Sequence, residues 1–302
     1  MRLGLACLCA LLAVGGCGPE ASPAPAGQSG DEEAIRIASF DFAESELLAE
    51  IYALGLEDKG YGVERFTNLG PREIVQPALQ QDRVDFVPEY LGAALNFVTL
   101  GKTGLTSNTA RMHEALAGVL ARAGIEVLDP SPAQDQNGIV VARRTATAHR
   151  LKTVSDLGGV DGDLVFGGPP ECPSRPLCLP GLEETYGLAF GDFVTLDSGG
   201  PKTVAAIRGG EVDVALLFTT DPVLEDGDIV LLEDDRRLQP AENITPVLRS
   251  EVVDRFGKDL TDVVNQLSSK LTTAELRRLN RRVQVDGEDA AEVAREWLDR
   301  GV

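Results

Sequence analysis

Histidine is close to absent from this chain of 302 residues, which carries two, His113 and His149. With so few imidazoles, ordinary acid–base hydrolysis has few candidates. No glycine-rich phosphate loop, Ser–His–Asp order or nucleophile elbow is present either, so catalysis is not expected. Aromatics are scarce at 5%, with four tyrosines and one tryptophan. Cysteine is sparse, and Cys172 and Cys178, the two in the body, have no histidine neighbour to complete a metal site. No metal and no cofactor is expected. Basic residues are outnumbered, 28 Lys and Arg against 48 Asp and Glu, for a net charge of −20. That balance excludes nucleic acid as a partner, because phosphates demand a basic face.

What is present begins with a processing signal. Arg2 precedes an apolar run over 3–14, shorter than the ~20 apolar residues a membrane-spanning helix needs. The run ends in Val14-Gly15-Gly16-Cys17, which resembles a lipobox. Residues 1–16 are therefore expected to leave as a lipoprotein signal peptide, taking Arg2 and moving the net charge to −21. Cys17 would then be lipidated and hold the protein on the extracytoplasmic face of the cell membrane. Residues 17–33, rich in Pro, Ala, Ser and Gly, read as a disordered tether. An exported chain meets oxidising conditions, so a Cys172–Cys178 disulfide is the default expectation, shaping a proline-rich loop.

About 270 residues remain, enough for one large domain or two lobes. Residues 34–39, 62–66 and 84–87 read as strands, the last stopped by Pro88, and 44–59 and 71–81 as helices between them. A second alternation follows, with strands at 138–142, 164–166, 193–196, 212–218, 228–232 and 244–248. The tail reads as helices over 251–256, 260–270, 273–283 and 290–298. Residues 73–87 and 203–217 correspond weakly: in each, a helix returns through a polar turn to a strand with Asp after its first Val. Two α/β units with mainly parallel sheets are implied, with ligands gathering beyond the carboxyl ends of the strands.

Ordered along the chain stand Phe40-Asp41-Phe42-Ala43-Glu44, Asn68-Leu69-Gly70, Val87-Pro88-Glu89-Tyr90, Gln134-Asp135-Gln136-Asn137-Gly138, Gly168-Pro169-Pro170-Glu171-Cys172, Thr219-Thr220-Asp221 and Leu238-Gln239-Pro240-Ala241-Glu242-Asn243. In number and order these resemble the osmoprotectant-binding proteins of ABC importers (glycine betaine, choline, carnitine), in the version found in actinobacteria. The resemblance runs from about residue 34 to the end. It implies a type II periplasmic-binding-protein fold, with lobe I over 34–138 and 244–302, lobe II over 139–243, and two crossing segments near 137–139 and 243–245. It also implies a monomer that passes a small solute to a permease with its ATPase.

A quaternary ammonium has no proton to donate, so aromatic faces and carboxylates must hold it. Tyr90 matches the family's cage tyrosine. Phe40 and Phe42 share the first strand–helix loop with Asp41, one ring expected to face the cleft and the other to pack inward. Asn68, Leu69 and Gly70 offer backbone N–H groups or simple turn chemistry. Gln134, Asp135, Gln136 and Asn137 form a polar run suited to a cleft wall, with Asp135 as counter-charge. Pro170 belongs to a rim, and Thr219, Thr220 and Asp221 to a second-lobe loop or a helix cap. Leu91-Gly92-Ala93 departs from the family, which has small hydroxyls there. With Tyr52, Tyr61 and Tyr186 read as structural, a full tyrosine cage cannot be assembled. The same fold binding another small molecule, an amino-acid derivative or a polyphenol, in sensing or uptake stays open.

Overall fold

Strand β1 (Ile35–Ala38) is apolar except at Arg36 and pairs in parallel with β2 (Val63–Phe66) on one side and β3 (Phe86–Tyr90) on the other. This is a computed structural model, and it describes residues 34–301; the expected signal peptide, the expected lipidation site Cys17 and the expected tether lie outside the described residues. Helix α1 (Ala43–Glu57) connects β1 to β2, and Leu47, Leu48 and Ile51 form its buried stripe. Helix α2 (Arg72–Gln80) connects β2 to β3. From β3 the chain turns straight into α3 (Leu91–Val98), then runs through α4 (Thr109–Leu120) to β4 (Ile125–Val127).

The second alternation comprises β5 (Asn137–Ala142), α5 (Arg143–His149), β6 (Val165–Gly168), α6 (Leu179–Tyr186), β7 (Asp192–Thr195), α7 (Pro201–Gly209), β8 (Val214–Phe218) and β9 (Ile229–Leu231). The chain returns as β10 (Ile244–Arg249), then α8 (Ser250–Lys270), α9 (Thr273–Asn280), a π-helical turn (Arg281–Val285) and α10 (Ala290–Asp299).

Two five-stranded sheets result, ordered β2-β1-β3-β10-β4 and β7-β6-β8-β5-β9. One buried cluster surrounds the first sheet, and the second sheet carries a cluster on each face. The order is the same in both, with one exchanged strand each. β5 lies in the second sheet and β10 in the first, antiparallel to both of their neighbours. The sheets are thus mixed rather than mainly parallel. β5 and β10 each arrive directly from the other half of the chain, with no crossover helix to turn them parallel.

A further sequence expectation is corrected here. Pro88 does not stop its strand: β3 continues to Tyr90, and Pro88 lies opposite Pro246 of β10. The Leu91 N–H to Asn243 carbonyl bond fixes the alternation of the ladder, placing the two prolines at a pair that exchanges no N–H bonds. The helices expected at 251–256 and 260–270 are both present along α8, separated by a kink where Gly257 takes a non-helical φ of 67°. The weak internal correspondence has a physical basis. Asp85 Oδ2 accepts the Arg36 N–H of β1 at 2.9 Å, and Asp213 Oδ2 accepts the Val165 N–H of β6 at 3.1 Å. Each aspartate closes the start of its neighbouring strand in its own sheet.

Candidate functional site

The loops after β1, β3 and β8, the two crossing segments and the end of α9 surround a cavity of about 700 Å³. That is within the usual range for small-molecule pockets. The crossing segments are stitched together: Gln134 bridges Asn243, the Asp135 N–H donates to the Glu242 carbonyl at 3.1 Å, and Gln136 Nε2 donates to the Pro240 carbonyl at 2.6 Å.

Of the residues singled out in the sequence, Phe42, Tyr90, Asp135, Asn137, Thr220 and Asp221 line this cavity. Phe42 is 42% exposed, whereas Phe40, at 3%, packs behind it. The Phe42 and Tyr90 ring centres lie 5.9 Å apart, tilted by 37°, and the Phe40 ring stacks on Phe42 at 6.0 Å. Asp221 also accepts the Val223 N–H at 2.9 Å, so it caps a helical turn while facing the cavity.

The others fall outside the wall. Asn68 holds a turn, its N–H donating to Ser39 Oγ at 2.8 Å and its Nδ2 to Glu46 Oε2 at 3.1 Å. The Leu69 N–H goes to the Ser39 carbonyl, and Gly70 supplies φ 135° to the same turn. The backbone donors of Asn68 and Leu69 are therefore both taken by Ser39. Asp41 and Pro170 are exposed and away from the cavity. Gln134, Gln136 and Thr219 bind the crossing segments to the second sheet: the Gln136 N–H donates to Thr219 Oγ1 at 2.8 Å, and Thr219 Oγ1 to the Gln134 carbonyl at 3.1 Å. Cys172 and Cys178 are joined as a disulfide, and Arg175 and Leu177 of the enclosed loop reach the cavity wall.

Three lining residues not singled out from sequence, Glu44, Asn280 and Glu242, join Asp135 in setting the electrostatics. Glu44 opens α1 and is 4% exposed. Its carboxylate accepts Tyr90 Oη at 2.8 Å and Asn280 Nδ2 at 2.5 Å. Burial raises its pKa above the usual carboxylate range, against the hydrogen bonds from Thr220, Asn280 and Tyr90. Asp135 accepts Thr220 Oγ1 at 2.8 Å. Burial, with the Glu44 charge added, holds its pKa well above the usual range. Glu242 reaches α3, where the Ala93 N–H donates to its Oε2 at 3.0 Å. Burial pushes Glu242 up to about 7, against the Ala93 and Gly92 N–H groups and the Arg72 charge.

Signals for two of these existed. Glu44 precedes Leu47, Leu48 and Ile51 on the stripe that faces inward, and Asn280 follows Leu276 on the buried side of α9. A polar group at an apolar position is the informative exception. Glu242 lies in a quoted motif but on a crossing segment without periodicity.

Cations are few. Arg72 is committed to Glu89 at 2.9 Å and lies over the Phe40 ring at 4.9 Å, while Arg175 is rim-exposed beside Glu171 at 3.4 Å. Against them stand Glu44, Asp135, Asp221 and Glu242 in one wall. Such a wall attracts a cation, and the Phe42–Tyr90 pair offers it π faces. Among the described residues no metal-ligating cluster exists and no helix is long and apolar enough to cross a membrane.

The chain is similar to known proteins over most of its length. A glycine-betaine-binding protein of Pseudomonas aeruginosa is 27% identical over 277 residues, covering 88% of this chain and 87% of that one. The glycine betaine-binding protein YehZ of Escherichia coli is 24% identical, covering 87% and 89%. A crystal structure described as a glycine betaine/carnitine/choline ABC transporter superposes with a TM-score of 0.78 at 24% identity, covering 88% of this chain and 98% of that one. The family described as the substrate binding domain of the ABC-type glycine betaine transport system matches residues 33–300, and the chain belongs to it.

Proposed function

We propose that this protein captures a quaternary-ammonium compatible solute, such as glycine betaine, choline or carnitine, and delivers it to an ABC permease. The observation that carries the reading is the Phe42–Tyr90 ring pair set against the buried carboxyls of Glu44 and Asp135. Residues 34–138 with 244–302 act as lobe I and 139–243 as lobe II, closing about the stitched crossing segments. Asn137, Thr220 and Asp221 complete the contacts, with Phe40 backing Phe42 from behind. The protein acts as a monomer without catalysis, held by lipidated Cys17 and its tether on the extracytoplasmic face.

Calorimetry and thermal-shift titration with betaines, choline and carnitine test the reading. Binding in the micromolar to millimolar range is expected, with a rise in Tm that follows ligand concentration. Absence of binding at millimolar solute would remove it.

A further inference from the structure

The closing helices are rooted in the first half of the molecule, yet one face of them grips the second. Leu276 and Leu279 of α9 and Val293 and Trp297 of α10 are buried in the cluster around the first sheet. Arg295 of α10 pairs with Asp58, at the end of α1, at 2.7 Å. The tail is thus fixed to the first sheet on both sides of the π-helical turn. Arg277, Asn280, Arg281 and Gln284 follow the i, i+3, i+4, i+7 spacing of a single helical face.

That face meets the loop after β8. Arg277 Nε donates to the Thr219 carbonyl at 2.6 Å, Asn280 Nδ2 to the Thr220 carbonyl at 3.1 Å, and Arg281 Nη2 to the Pro222 carbonyl at 3.2 Å. Arg281 also pairs with Asp226, and Arg277 approaches Glu225 at 3.7 Å. Three carbonyls left over where β8 ends are therefore satisfied by the tail rather than by their own sheet. The π-helical turn, a form enriched at functional positions, carries Arg281 and the cavity-lining Gln284.

These bonds differ in what lobe separation does to them. Thr219 is itself bonded to Gln134 and Gln136 of the first crossing segment, so the Arg277 contact lies at the pivot. Pro222 and Asp226 lie past the pivot, in the second lobe. With α9 and α10 packed on the first lobe, parting the lobes breaks the Arg281 bonds. We propose that Arg281 and Asp226 form a clasp, a third and non-covalent connection between the lobes, which favours the arrangement seen here and slows escape of the solute. This rests on the two-lobe reading above and goes beyond it by naming residues that set the closing equilibrium. Neither residue is among the described residues lining the cavity, so both are positioning residues. Arg208 holds Asp226 at 2.7 Å from within the second lobe, which presets the acceptor. Both partners of the clasp are about a third exposed, which opens it to screening by salt.

Small-angle X-ray scattering of the ligand-free full chain, with stopped-flow kinetics on choline and glycine betaine, tests the clasp. Arg281→Ala and Asp226→Asn are each expected to enlarge the ligand-free radius of gyration. Each should raise the solute dissociation rate about three- to tenfold and change the association rate by less than about twofold. The double variant should add little to either single one, because both remove the same bond. Raising salt from about 50 to about 500 mM should enlarge the unaltered protein in the same way and the variants much less. An unchanged radius, or an unchanged dissociation rate, in Arg281→Ala would overturn the inference, and so would an effect of Arg281→Ala that Asp226→Asn does not share. Where neither solute binds, the onium reading falls while the radius still decides the clasp. The salt series on the unaltered protein decides it should the variants not fold.

Discussion

Tyr90 donates its hydroxyl to Glu44 at 2.8 Å, with both side chains closed off from bulk water. The bond ties the Tyr90 ring to the acid beneath it, with the Phe42 ring 5.9 Å away. Tyr90→Leu removes a π face and should weaken onium binding about 5- to 30-fold, the value of one cation–π contact. Tyr90→Phe keeps the face and drops the hydroxyl, so it should lose less. Calorimetry on the two variants separates ring from hydrogen bond; equal losses would mean that the ring face contributes nothing.

The buried acids make stability and binding depend on pH in opposite senses. A carboxyl with a raised folded pKa keeps its proton after the unfolded chain has lost it, so stability falls as pH rises between the two values. For Glu242 that window runs from 4.5 to about 7. Glu44 and Asp135 act in the same sense above 4.5 and 3.8. Glu57, Asp85 and Asp197 have lowered values, and their contribution is lost only as pH falls below the usual carboxylate range. The ligand-free protein should therefore melt at its highest temperature near about pH 5 and lose stability towards about pH 7.5, with Glu242 alone contributing on the order of 2–3 kcal/mol.

A bound cation favours the ionised carboxylates, so binding should release protons and tighten as pH rises. Calorimetry at about pH 6 in two buffers of different ionisation enthalpy measures the release directly. Identical apparent enthalpies in the two buffers would contradict it.

Much of this fold was legible because periodicity reports burial. Leu47, Leu48 and Ile51 gave α1, and the apolar run of β8 gave a central strand. β3 was misjudged at Pro88, because its tolerance there depends on the register against Pro246, a partner far along the chain. The cavity wall was legible where a single loop carries a residue of it, as at Phe42, Tyr90 and Asp135. It was hidden where distant segments meet: Glu44 and Asn280 are 236 residues apart, and Glu242 is 149 from Ala93. A polar side chain in a single stretch does not reveal which distant partner will desolvate it.

Arg72 is held against Glu89, which is 1% exposed, at 2.9 Å. Arg72→Met strands a buried carboxylate and should cost about 3–5 kcal/mol. The double variant Arg72→Met, Glu89→Met replaces the pair with apolar groups and should recover most of the loss. Urea unfolding with unchanged m-values checks this; a double variant no better than the single one would locate the cost in packing rather than in the stranded charge.

The Cys172–Cys178 bridge closes a loop with a sequence separation of 6 and a Cα–Cα distance of 5.2 Å. Loop-closure entropy for so short a ring gives about 2 kcal/mol. The loop also bears Arg175 and Leu177, two cavity-lining residues, and the Leu177 carbonyl accepts Gln239 Nε2 at 3.1 Å from the second crossing segment. Freeing it should therefore act on the cleft as well as on the fold. Cys172→Ser, Cys178→Ser is expected to lose about 2 kcal/mol in urea unfolding and to weaken solute binding several-fold, through ordering the loop anew on each capture. Were the bridge to serve stability alone, calorimetry below the melting transition would find the solute affinity of the double variant unchanged.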